Sequence, residues 1–122
     1  MRRPLARVRV DTDAIHDWTS FHAEFQRALG FPGFYGANMN AWIDCMSYLR
    51  DPAAGMAAVT LGTEEFLELE IPAAADFRKR LPEIADALWD CTGFVNRRYT
   101  DVGESPAILL APVDSQPSRP AA

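Results

Sequence analysis

The sequence predicts an α/β fold: a small three-stranded parallel sheet with helical crossovers. Three observations carry this reading. Short apolar runs, alternating or continuous, occur near residues 7–11, 66–71 and 106–111. The two long intervals between them hold segments whose apolar residues recur every three or four positions, the helical period. The resulting order, one strand then two helices, repeated and closed by a third strand, joins parallel strands through crossovers that should be right-handed.

A chain of 122 residues can bury one core without staples, and its 48% hydrophobic and 24% charged content argues against a disordered or fibrous chain. One domain over residues 5–113 is expected. Residues 1–4 and the Pro/Ser/Ala-rich residues 114–122 are expected to be flexible termini, because they hold too little apolar area to pack.

Arg7-Val8-Arg9-Val10-Asp11 alternates basic and apolar residues, which turns Val8 and Val10 toward a core as the first strand. Thr19 or Ser20 can cap a helix through Leu29, since Phe21, Phe25 and Leu29 recur every four residues and Gly30 follows as a stop. Phe31-Pro32-Gly33-Phe34-Tyr35-Gly36 then combines turn formers with three aromatics, so this loop should be packed or used. Asn38 can cap a second helix reaching about Arg50, where Asp51-Pro52 ends it. Residues 53–62 read as loop or a short strand.

Phe66-Leu67-Glu68-Leu69-Glu70-Ile71 alternates cleanly and is the second strand, with Glu68 and Glu70 turned away from the apolar face. Residues 76–80 form a short basic helix. Pro82 suits the first turn of a longer helix to about Arg98, in which Ile84, Leu88, Cys91 and Val95 make the buried stripe. Pro106-Ala107-Ile108-Leu109-Leu110-Ala111 is continuously apolar, as expected of a strand covered on both faces.

The formal charge of −5 repels a phosphate backbone and attracts a basic protein, so direct nucleic-acid binding is not expected. With no long apolar run, no membrane association is expected. Cys45 and Cys91 each fall in an apolar helical segment, and no secretory leader is recognisable, so a cytoplasmic location with reduced thiols fits. No metal or cofactor is expected: the cysteines lack CxxC spacing, and His16 and His22 read as solvated side chains without a ligand set. An enzyme is not expected either. No nucleophile with its base is assembled locally, Gly33 and Gly36 do not make GxGxxG, and Glu64, Glu65, Glu68 and Glu70 read as solvated acids. Asn96-Arg97-Arg98 can bind an anion or interact with the C-terminal end of its own helix.

Within residues 38–50, Met39, Trp42, Met46 and Leu49 make one core face, widened by Ala41, Cys45 and Tyr48. Asn40, Asp44, Ser47 and Asp51 recur at four, three and four and form a polar line on the opposite side, with Ile43 beside it. The aromatic-glycine loop runs straight into this helix, and Gly36 permits close backbone approach, so loop and helix can present one patch to a partner.

The segment Phe31-Pro32-Gly33-Phe34-Tyr35-Gly36-Ala37-Asn38-Met39-Asn40-Ala41-Trp42-Ile43-Asp44-Cys45 resembles that of the barstar family of intracellular ribonuclease inhibitors, in which a Pro, paired aromatics, Gly, Asn and then Trp-Asp-Cys or its equivalent occur at the same spacings. The order of strands and helices agrees with a barstar-like fold from about residue 7 to 111, with residues 53–65 as an added loop. The resemblance implies a partner, a basic ribonuclease or related nuclease-type toxin, whose active site the loop and helix plug by placing carboxylates where its cations would hold RNA phosphate.

The resemblance also implies partner-binding roles for Phe34, Tyr35, Gly36, Asn38, Asn40, Ile43, Asp44, Ser47 and Asn96. Asp44 matches the family's principal acidic anchor. Phe34 stands where a Tyr is usual, Asn40 where an Asp is usual and Ile43 where a Trp is usual, which removes one hydroxyl, one charge and one large aromatic. Asn96 matches a later family Glu. The expected protein is an inhibitor, monomeric when free; the alternative is an interaction or regulatory module that uses the same fold with a non-nuclease partner.

Overall fold

The computed structural model describes residues 4–113, so the expectations for residues 1–3 and 114–122 lie outside the described residues. Strand β1 is Pro4–Arg9, β2 is Phe66–Pro72 and β3 is Ile108–Val113. They form one parallel sheet in the order β1-β2-β3. β1 begins earlier than its alternation suggests. Pro4, expected in the loose terminus, pairs with Phe66 across a register irregularity before Ala6, a place where an edge strand tolerates proline.

β2 is central, and Leu67, Leu69 and Ile71 are fully buried in the alternation expected of it. Glu68 lies on the other face and meets Arg7 of β1 at 3.2 Å. Two right-handed crossovers taken in the same direction lay their helices on the same face of a sheet, which leaves the opposite face open. The expectation that β3 is covered on both faces is therefore corrected: Ile108 is buried, but Leu109 is 48% exposed and Val113 42%, because both lie on that open face.

Helix α1, Trp18–Leu29, starts at Asp17 rather than at the expected Thr19 or Ser20. Asp17 and Ser20 form a reciprocal capping box, in which Asp17 Oδ1 accepts the Ser20 N–H at 2.9 Å and Ser20 Oγ accepts that of Asp17 at 3.0 Å. Gly30 ends the helix with φ at +67°, and a Cβ there would stand 2.4 Å from that of Ala58, so glycine is required twice over. His22, expected in solvent, is buried beside Phe21, with its ring stacked on Trp18.

Helix α2, Met39–Met46, is capped by Asn38 as expected but stops short of Arg50. The reason is Tyr99, whose hydroxyl donates to the Met46 carbonyl at 2.8 Å and accepts the Leu49 N–H at 3.0 Å, drawing both from the helical ladder. Leu49 stays in the core, while Tyr48, expected to widen the core stripe, is 46% exposed.

Helix α3 is Ala74–Arg80, and α4 is Pro82–Asp101. Ile84, Leu88 and Val95 of α4 are buried as expected, but Cys91 is only half-buried and Thr92 takes the inner place, its hydroxyl bonded to the Leu88 carbonyl. The core centres on Trp42, Phe21, Phe25 and Phe77. Residues 52–65 form a short 3₁₀ turn at Pro52–Ala54 and a loop, tied back by Leu61 donating to the Leu49 carbonyl. Arg50, its side chain only 7% exposed, pins that loop by donating to the carbonyls of Gly62, Glu65 and Ser105 and pairing with Glu104. No helix among the described residues is long and apolar enough to cross a membrane.

Candidate functional site

The loop before α2 is built as a support for one projecting side chain. Phe31 is buried, and the Tyr35 N–H closes a turn on the Pro32 carbonyl at 2.9 Å. The Tyr35 ring packs 4.9 Å from that of Phe31, and its hydroxyl shares a 2.6 Å hydrogen bond with His22 Nδ1 of α1. Burial raises the Tyr35 phenol above its ordinary value and lowers His22, so both stay neutral near pH 7. Tyr35 is thus committed to the fold, while Phe34 beside it is 76% exposed.

Gly36 is exposed, and Ala37 takes the left-handed conformation with φ at +54° to bring the chain into α2. Asn38 is likewise committed: its side-chain oxygen accepts the Ala41 N–H at 2.8 Å. Along α2 the polar line emerges as expected. Asn40 and Asp44 are exposed, Ser47 and Ile43 half-buried, and Trp42, Cys45 and Met46 lie beneath. Burial, with some help from neighbouring Asp44, pushes the Cys45 thiol up to about 11, which makes it an inert core group.

The polar line borders a groove between α2 and α4, lined by Asn40, Ile43 and Asp44 on one side and Asp90, Cys91, Phe94, Arg97 and Arg98 on the other. Arg98 lies 3.6 Å from the Asp44 carboxylate and donates to Ser47 Oγ at 3.2 Å, and its guanidinium sits 5.0 Å from the Phe94 ring centroid. Ser47 in turn donates to the Ile43 carbonyl at 2.6 Å. Both partners of the ion pair are open to water, Arg98 at 46% and Asp44 at 60%, so the pair is weak and readily exchanged.

Asn96 is not part of this groove lining. Its side-chain oxygen accepts the N–H groups of Ala107 and Ile108, each at 3.0 Å, and its amide donates to the Ile108 carbonyl at 2.9 Å. This clamp fastens the start of β3 to α4. The α4 residues that do face α2 were visible only as a spacing: Asp90, Phe94 and Arg98 recur every four positions beside the buried stripe, but nothing local says which helix they meet.

Among the described residues, no group of three or more His, Cys, Asp or Glu side chains could hold a metal ion. The arrangement is an exposed aromatic on the loop, a carboxylate and an amide on one helix face, and a groove of mixed charge. Comparison with curated protein sequences returns no match. The family model described as Barstar (barnase inhibitor) matches residues 5–111, a span that includes all of β2, most of β1 and β3, the aromatic loop and both helices of the groove. With nearly the whole chain covered and the three-stranded parallel sheet in place, the chain belongs to the barstar family.

Proposed function

We propose that this chain binds and occludes the active site of a basic ribonuclease or related nuclease toxin, acting in the cytoplasm as a monomer until the partner is met. The observation that carries the reading is Asp44, an exposed carboxylate on the outer line of α2, directly after a loop whose one projecting side chain is Phe34, in a chain of the barstar family. Phe34, Asn40, Ile43 and Asp44 make the contact. Tyr35, Gly36, Asn38 and Ser47 hold it in shape. In the bound state the Asp44 carboxylate takes the place of an RNA phosphate against the partner's cations.

The test is inhibition of RNA cleavage by purified basic ribonuclease, with calorimetric titration of the wild type and Asp44→Ala. Truncation leaves the partner's cations buried and unpaired, a loss of about 2–5 kcal/mol, the general cost of removing one member of a buried, hydrogen-bonded charge pair. Asn40→Ala costs less, because a neutral amide makes weaker hydrogen bonds than an ionised group. Equal binding by wild type and Asp44→Ala would remove Asp44 as the anchor. A non-nuclease partner is the second reading, favoured by the Arg98 guanidinium beside Asp44, which offsets the charge a wholly cationic site would seek.

A further inference from the structure

The chain carries a net charge of −5, yet its groove does not share that sign. Its lining holds two acids, Asp44 on α2 and Asp90 on α4, and two arginines, Arg97 and Arg98 of α4, whose formal charges cancel. The basic half is built rather than incidental. Arg98 is held from three sides, by the Asp44 carboxylate at 3.6 Å, the Ser47 hydroxyl at 3.2 Å and the Phe94 ring at 5.0 Å. Arg97 also lies over Phe94, at 5.9 Å. Phe94 is itself 41% exposed, so the guanidinium groups stand on an open aromatic at the groove's edge.

We infer that Arg97 and Arg98 are specificity-determining residues: they fit the groove to a protein partner that offers a carboxylate beside the cation taken by Asp44, and they disfavour one whose surface is cationic throughout. The inference rests on the inhibitory reading of Asp44 and narrows it. A cation arriving at Asp44 either displaces Arg98 or shares the carboxylate with it, since the carboxylate is 60% exposed. Breaking an exposed pair is a small loss, but in either case the guanidinium, held on Phe94 and Ser47, then lies next to the incoming charge. Like charges brought together in a closing interface suppress the wrong partner strongly. A carboxylate on the partner removes the conflict by receiving Arg98, so one internal ion pair is exchanged for two across the interface. Ile43 and Phe94 supply the apolar part of the groove's lining.

Barnase, a basic ribonuclease, serves as the probe against the full chain in calorimetric titrations at two salt concentrations. Arg98→Gln should bind it about tenfold tighter than wild type, Arg97→Gln with Arg98→Gln tighter still, and Arg98→Lys no differently, with the gains shrinking as salt screens them. A library of barnase variants randomised at the rim of the active site and selected on wild type should be enriched in Asp and Glu, an enrichment lost on Arg98→Gln. Asp44-dependent barnase binding that Arg98→Gln leaves unchanged or weakens would overturn the inference and leave the inhibitory reading standing. Selection of Lys and Arg at the rim would do the same. If neither wild type nor the double Gln variant binds barnase at all, the inference falls together with the inhibitory reading for this class of ribonuclease.

Discussion

Asn96→Ala separates a side chain that holds the fold from one that meets a partner. The amide of Asn96 satisfies three backbone groups at the entry to β3: the N–H of Ala107, the N–H of Ile108 and the carbonyl of Ile108. Ala107 and Ile108 are both buried, so removal of the amide strands two donors where water reaches poorly. An unsatisfied buried donor costs about 1–3 kcal/mol. Asn96 is itself only half-buried, which admits some water, and the sum is about 2–4 kcal/mol. Asn96→Asp keeps both acceptor contacts but sets a carboxylate oxygen against the Ile108 carbonyl, for an intermediate loss of about 1–2 kcal/mol. Urea denaturation of the three proteins reads this directly as a shift in midpoint at constant slope. A shift worth less than about 0.5 kcal/mol for Asn96→Ala, typical of an ordinary surface position, would refute the clamp and return Asn96 to the list of contact candidates.

Arg50→Lys is expected to destabilise by about 2–3 kcal/mol, since an ammonium cannot reproduce a guanidinium fork that reaches Gly62, Glu65 and Ser105 together; urea melts check it. Trp42→Ala removes the largest fully buried side chain and should cost about 3–5 kcal/mol, unfolding much of the sample before any binding assay can be read. Burial holds the folded His22 imidazole below its ordinary 6.5, so the unfolded chain takes up the proton first, and stability present above pH 6.5 is lost as pH falls through that value. The Glu24 carboxyl, which burial raises but the Arg27 pair and the Asp11 N–H lower further, adds its own loss only below 4.5; melts between pH 6.5 and 4.5 should therefore be flattened by His22→Asn. Thiol titration under denaturing, non-reducing conditions should give two equivalents, with Cys45 unreactive in the native state, because both cysteines are unpaired and Cys45 is buried.

What could be read from the chain was what depends on near neighbours. The alternation of β2, the Asn38 cap, the Gly30 stop and the polar line through Asn40 and Asp44 are all set within a few residues, and each stands where its spacing puts it. The structure departs from what local spacing implies where a distant residue intervenes. Tyr99 shortens α2 from about fifty residues away, and the open face of β3 follows from the side on which the crossovers lie, which an apolar run does not encode. His22 looked like one more polar residue on α1 until Tyr35 and Trp18 closed over it. The candidate surface is half legible for the same reason: the α2 side has its own period, but the arrival of Arg98 beside Asp44 is a fact of packing between helices.

The loop that carries Phe34 is anchored before any partner arrives, through Phe31 in the core, the turn from Pro32 to Tyr35 and the Tyr35–His22 bond. Its backbone entropy is already lost in folding, so binding through this loop has little left to order beyond the Phe34 ring, an immobilised side chain costing about 0.5–1.5 kcal/mol. On the proposed inhibitory reading, this chain then meets its partner with a finished surface. The rate of that encounter is governed by orientation, at about 10⁵–10⁷ M⁻¹ s⁻¹ before any electrostatic steering, and differences in affinity between partners are expressed in how long they stay.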